Sequence, residues 1–190
     1  MFGVIRRLWP TAVGLLATMG SANASSFQNA PADLARRAVA SATAPVIEGC
    51  ILGAASIHHL PPTVLVILLN VEGGRLGQVS GNSNGTVDVG PMQVNEIWLP
   101  KLAAHWHATI DETFAALRDN FCANVEGGAW ILRLALDEAR GDFWQGVGIY
   151  HSHDPAYQNT YLRQVLRQVL QFQASQHSVN HADATPAARN

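Results

Sequence analysis

Residues 71–95 read VEGGRLGQVSGNSNGTVDVGPMQVN, and one carboxylate, Glu72, closes the apolar run before it. A carboxylic acid at the end of a buried element loses hydration, and that loss raises its pKa. A general acid working at neutral pH needs this property, and glycosidic-bond cleavage uses such a group. Gly73 and Gly74 let the chain turn away and leave room for a bulky substrate. Further on, Gln93 and Asn95 can present hydrogen-bonding groups and Met92 a soft apolar contact. The stretch therefore reads as an acid beside part of a sugar-binding cleft. A solvated helix-end glutamate beside an ordinary turn is the plainer alternative, and the residues alone leave it open. Asp88 is a candidate second acid. Its plainer role is structural, accepting backbone N–H bonds in the turn before Gly90.

The elements that must hold this acid read as mainly helical (α+β), in one domain over residues 45–173. Val46, Ile47, Cys50, Ile51, Ala54 and Ile57 recur at helical spacing, and Pro61-Pro62 ends that helix. Residues 63–71, apolar nearly all round, suit a buried strand or a buried helix, and the same prolines, just ahead, favour the helix. Asn84-Gly85, flanked by Val79 and Val87, predicts one small β-hairpin. Pro91 fits the first turn of a new helix that breaks near Pro100. Helices follow from Asp111, from Phe121 and around Gly146, and a long amphipathic helix covers residues 157–173. Residues 25–44 read as a linker or a loosely held helix, and residues 174–190 as a flexible tail.

Residues 1–24 have the form of a cleaved secretory signal. Arg6-Arg7 precede a short apolar core, and Ala22-Asn23-Ala24 fits a cleavage site. Such a core is too short to anchor the chain stably in a membrane. Losing its two arginines moves the formal net charge from −2 to −4. A mildly acidic domain offers nothing to a nucleic-acid backbone. In an exported protein the two cysteines, Cys50 and Cys122, suggest a disulfide, with two buried thiols as the alternative.

The run "VEGG…NSNGTVDVGPMQVN…W", then "NFCANVEGGAWIL", then "VGIYHS", resembles the lytic transglycosylases of the soluble-lytic-transglycosylase type. The resemblance is to the small exported branch that accompanies type IV secretion and conjugation systems, and it covers about residues 50–165. It implies a lysozyme-like fold and cleavage of peptidoglycan glycan strands between N-acetylmuramic acid and N-acetylglucosamine. It also implies Glu72 as the catalytic acid, Met92 and Gln93 lining the sugar cleft, Tyr150 near the acid, and a bridged Cys50–Cys122 pair. The family usually carries Ser after the catalytic Glu, where this chain has Gly73, and Tyr-Asn-Ala where this chain has Tyr150-His151-Ser152. The resemblance implies a periplasmic enzyme that opens the wall locally for a secretion, conjugation or pilus machine. The alternatives are a muramidase on the same fold and a non-catalytic peptidoglycan-binding assembly factor.

His105-Trp106-His107 and His151-Ser152-His153-Asp154 lack the ligand set of a structural zinc site, so neither a metal nor a cofactor is expected. Trp98, Trp106, Trp130 and Trp144 read first as core, and Trp98, closest to Gln93, is the best candidate to stack on a sugar.

Overall fold

The computed structural model describes residues 30–183, with side chains from 43 to 176. The signal-peptide reading of residues 1–24 lies outside them. The chain divides at Ser41 into two units. Among described residues, the first contributes only the opening turns of α1 (Ala30–Ile57), and the second carries every other element. Helix α1 begins inside the stretch read as a linker or loosely held helix and continues through Pro45. Its apolar stripe is only half used: Cys50, Ile51 and Ala54 are buried, while Val46, Ile47 and Ile57 are exposed.

Mainly helical structure with a small sheet is what the periodicity predicts. After α1 come α2 (Pro62–Glu72), β1 (Val79–Gly81), β2 (Val87–Val89) and β3 (Val94–Asn95), then a 3₁₀ turn, Glu96–Trp98. Helices α3 (Leu99–Trp106), α4 (Ile110–Asp119), α5 (Phe121–Glu138), α6 (Phe143–His151) and α7 (Pro155–Asp183) complete the order. No single helix among the described residues is long and apolar enough to cross a membrane. Side chains mark the helix starts. Thr109 and Glu112 form a reciprocal capping box on α4, Asn120 caps α5 and Asp142 caps α6.

Three boundaries differ from the sequence reading. Helix α7 runs past Gln173 into the stretch read as a tail. Pro91 starts no helix; it is buried in a turn, and Val94 and Asn95, three and four residues on, pair antiparallel with β2. The reason lies at Gly90 and Gln93, whose φ values of 71° and 46° bend the chain back. A third strand therefore joins the expected hairpin, in the order β1-β2-β3. Pro100 opens α3 rather than breaking it. The hairpin turn at Asn84-Gly85 forms as predicted, with Gly85 at φ 85° and the Asn84 side chain accepting from Thr86 N at 3.1 Å.

The core gathers around α5. Its Val125, Ala129, Ile131 and Leu132 are buried with Leu65 and Leu68 of α2, Leu117 of α4, Val89 and Val94 of the sheet, and Met92 of the turn between β2 and β3. Helix α6 packs between α5 and α7, and α7 also lies against α2. Cys50 and Cys122 are joined, with a Cα–Cα distance of 4.9 Å, and tie α1 to the first turn of α5.

Candidate active site

Helix α2 delivers Glu72 to the interior. Leu65, Leu68 and Glu72 follow one another at spacings of three and four, so they share one helix face. Leu65 and Leu68 are fully buried, and the same face carries the carboxyl inward. The helix ends on Gly73, whose φ of 63° is the left-handed cap conformation and whose N–H bonds Leu69 O at 3.1 Å. A serine at this position would meet a left-handed backbone that costs about 1 kcal/mol. Gly74 is required for a different reason. A Cβ there would lie 2.1 Å from Gly90 O and 2.6 Å from Gln93 Nε2.

The loop that Gly74 touches is fastened by one buried amide. Asn124 on α5 donates to Val89 O and to Leu117 O, each at 2.9 Å, and accepts from Met92 N at 2.7 Å. All three bonds are made away from water, so residues 89–92 are held to the central helix with little freedom. Gln93 Nε2 donates to Gly90 O at 2.7 Å, and this fixes the side chain beside Gly74.

Burial holds the proton on Glu72. Its pKa is raised from 4.5 to about 7, first by desolvation, with the like charge of Asp88 adding to the rise. The hydroxyl of Tyr161 on α7 donates to Glu72 Oε1 at 2.6 Å and opposes part of it. Burial, and then the Glu72 charge, push the Tyr161 phenol far above its usual range, so it stays a donor. Its ring is pinned by His151, stacked at 4.3 Å and within 1° of parallel. Burial lowers the His151 pKa, which favours a neutral imidazole. The phenol of Tyr150 is likewise raised by burial and by the charges of Glu72 and Asp88, and its hydroxyl donates to Met92 O at 3.3 Å.

Glu72 opens into a cleft of about 510 Å³. Asn82, Asn84 and Thr86 of the hairpin form one wall, and Tyr150, His151 and Tyr157 contribute from the helical side. Gln93 and Trp98 also line it. Such a volume falls in the range of ordinary ligand sites, and amide and hydroxyl groups beside aromatic rings suit a polyhydroxylated substrate.

The structure thus gathers Glu72, Asp88, Met92, Gln93, Asn95 and Tyr150 around one cavity. Met92 lines the cavity from beneath, as a fully buried apolar floor. Two of the individual roles need correcting, those of Asn95 and Asp88. Asn95 spends its amide inside the protein, donating to Asp88 Oδ1 at 2.7 Å and to Thr86 Oγ1 at 2.9 Å, while its Oδ1 accepts from Ile97 N at 3.1 Å. It holds the wall more than it offers itself to a ligand. Asp88 sits in β2 and accepts from that side-chain amide instead of from turn N–H groups. Trp98 reaches the cleft while meeting Trp130 edge-on at 6.3 Å. Trp106 instead turns inward and donates to Glu126, and Trp144 is exposed.

Tyr161 is the site residue that the sequence reading missed, because it fell on the apolar stripe of α7. A tyrosine in such a stripe carries a hydroxyl that must find a partner once buried, and that was the available signal. A second group also escaped local reading. His58, in the turn just after α1, His105 on α3 and Glu126 on α5 have their ligating atoms within 4.8 Å of one another. None of the three lines the cleft.

In comparison with known proteins, no protein-family model matches this chain and no curated protein matches it significantly.

Proposed function

We propose that this protein is a peptidoglycan lytic transglycosylase that cleaves the bond between N-acetylmuramic acid and N-acetylglucosamine. The observation that carries the reading is Glu72: a carboxyl with a pKa of about 7, bonded by a buried phenol and opening on a polar cleft. Near neutral pH such a group holds its proton much of the time and can also accept one, so it can serve both halves of a reaction.

Protonated Glu72 donates to the glycosidic oxygen, and the bond from that oxygen to C1 of the muramic sugar breaks. The N-acetyl group of the substrate supports the positive charge at C1. The C6 hydroxyl of the same sugar attacks C1, and the Glu72 carboxylate takes its proton. The acid is regenerated, one bond has replaced another, and the product ends in a 1,6-anhydromuramoyl group. Water and metal take no part. Tyr161 orients the carboxyl throughout, and its hydrogen bond strengthens when the proton has left.

A muramidase is the second reading, and Asp88 favours it. This carboxylate lines the same cleft, and its charge acts on Glu72. Hydrolysis with two carboxylates would use it to direct a water. Against this, Asp88 is engaged by the Asn95 amide at 2.7 Å. Asp88→Asn keeps an acceptor for that amide. Transglycosylation should survive the change within about 10-fold, whereas a muramidase should fall by far more.

The oxidised Cys50–Cys122 pair suits an oxidising compartment. Together with the signal-like residues 1–24, it supports a periplasmic enzyme that opens the wall for a secretion, conjugation or pilus machine. Incubating purified glycan strands with the protein and with Glu72→Gln tests the activity. The reading expects cleavage by the first and none by the second, and equal cleavage by both refutes it.

A further inference from the structure

His58, at the end of α1, is buried, and its Nε2 lies 2.7 Å from Glu126 Oε1. His105 Nε2, from α3, lies 3.2 Å from the same oxygen. The other oxygen, Oε2, accepts from the indole N–H of Trp106. The His105 ring is held by stacking on Trp130, with centroids 4.7 Å apart. Among the described residues, the basic groups in ion-pair range of Glu126 are these two imidazoles, with no Lys or Arg. A largely buried carboxylate thus meets two rings whose nitrogens converge on one point.

We infer that His58, His105 and Glu126 form a binding site for one zinc ion or a similar divalent transition metal. The donor set is two imidazoles and a carboxylate, which suits zinc and leaves a fourth position for water. Zinc takes nitrogen and oxygen ligands at about 2.0–2.2 Å, so ligand atoms in a tetrahedral site stand about 3.4 Å apart. The present spacing is of that order, and small side-chain rotations would open it. The ligand side chains are 7% (His58), 33% (His105) and 21% (Glu126) exposed, so an ion can enter from the His105 side. With each ring protonated on Nδ1, both Nε2 lone pairs face the ion. The Trp106 indole then supports the carboxylate from outside, as outer partners of metal ligands do. The ion would join the end of α1 and α3 to the central helix α5, adding to the disulfide that already ties α1 to α5. None of these residues lines the cleft, so the site stands apart from the proposed glycan chemistry.

The test uses the full chain, purified without an affinity tag and stripped by a chelator, then titrated calorimetrically with zinc chloride. One zinc per chain should bind, and binding should raise the melting temperature. His105→Ala, at the most exposed ligand, and Glu126→Gln, which keeps the volume and the Trp106 acceptor, should each weaken binding by more than about 100-fold. Circular dichroism checks that both variants fold. His153→Ala and the double change His177→Ala with His181→Ala should leave binding as it was. Zinc binding that survives both His105→Ala and Glu126→Gln overturns the inference, as does no binding at millimolar zinc.

Discussion

Replacing Glu72 by glutamine should stabilise the protein above neutral pH while ending its chemistry. In the unfolded chain the carboxyl releases its proton near 4.5, and in the folded protein near 7, because burial and Asp88 disfavour the charge. Between those values the folded state holds a proton that the unfolded state has lost. The stability linked to this group is therefore fully present below 4.5 and is lost as pH rises through about 7. At about 1.4 kcal/mol per pH unit, complete ionisation costs about 3 kcal/mol. Water in the open cleft reduces that to about 2 kcal/mol. Glutamine carries no charge at any pH, and its amide oxygen can still accept from Tyr161. Urea unfolding of both proteins should give equal stabilities near pH 4.5, within about 0.5 kcal/mol. Near pH 8.5 the variant should lead by about 2 kcal/mol, or roughly 4–8 °C in melting temperature. A difference that does not change with pH, or one that favours wild type at the alkaline end, refutes the reasoning that burial holds the proton on Glu72.

Tyr161→Phe removes the donor that lowers the Glu72 pKa, so the alkaline fall in glycan cleavage should move to higher pH, and stability near pH 8.5 should drop by about 1–3 kcal/mol. A pH–rate profile and urea unfolding check the two effects. Gly74→Ala puts a methyl 2.1 Å from Gly90 O, and the loop carrying Gln93 must move. Cleavage should fall by about 100-fold or more while the helical circular dichroism is kept. Replacing both Cys50 and Cys122 by alanine frees a connection closed over 72 residues of sequence separation, and should cost about 4 kcal/mol in urea unfolding under oxidising conditions.

Much of the helical frame was legible because each helix is written locally, in apolar spacing and in signals such as the acidic first turn at Asp111, although the capping box of Thr109 and Glu112 went unread. The hairpin was legible for the same reason, through Asn84-Gly85. Pro91 misled because proline suits a turn as well as a first helical turn, and the turn is held from far along the chain, where Asn124 receives the N–H of Met92, 32 residues before it. The acid was visible as the end of an apolar run, while its partner Tyr161 lies 89 residues on and reads as core. The histidine–glutamate cluster was hidden in the same way. His58 and Glu126 are 68 residues apart, and only the packing of α1, α3 and α5 brings them together. Contacts of this range leave no periodic trace in a single sequence.

The reducing-end chemistry of the glycan products tests the central claim most directly. Purified, uncrosslinked glycan strands would be digested by the wild-type protein and by Glu72→Gln, and the fragments weighed by mass spectrometry. One acid working in both directions predicts fragments ending in 1,6-anhydromuramic acid, lighter by one water than the hydrolysed form, and none from the variant. Fragments with ordinary reducing ends, or anhydro ends made equally well without the Glu72 carboxyl, would contradict it.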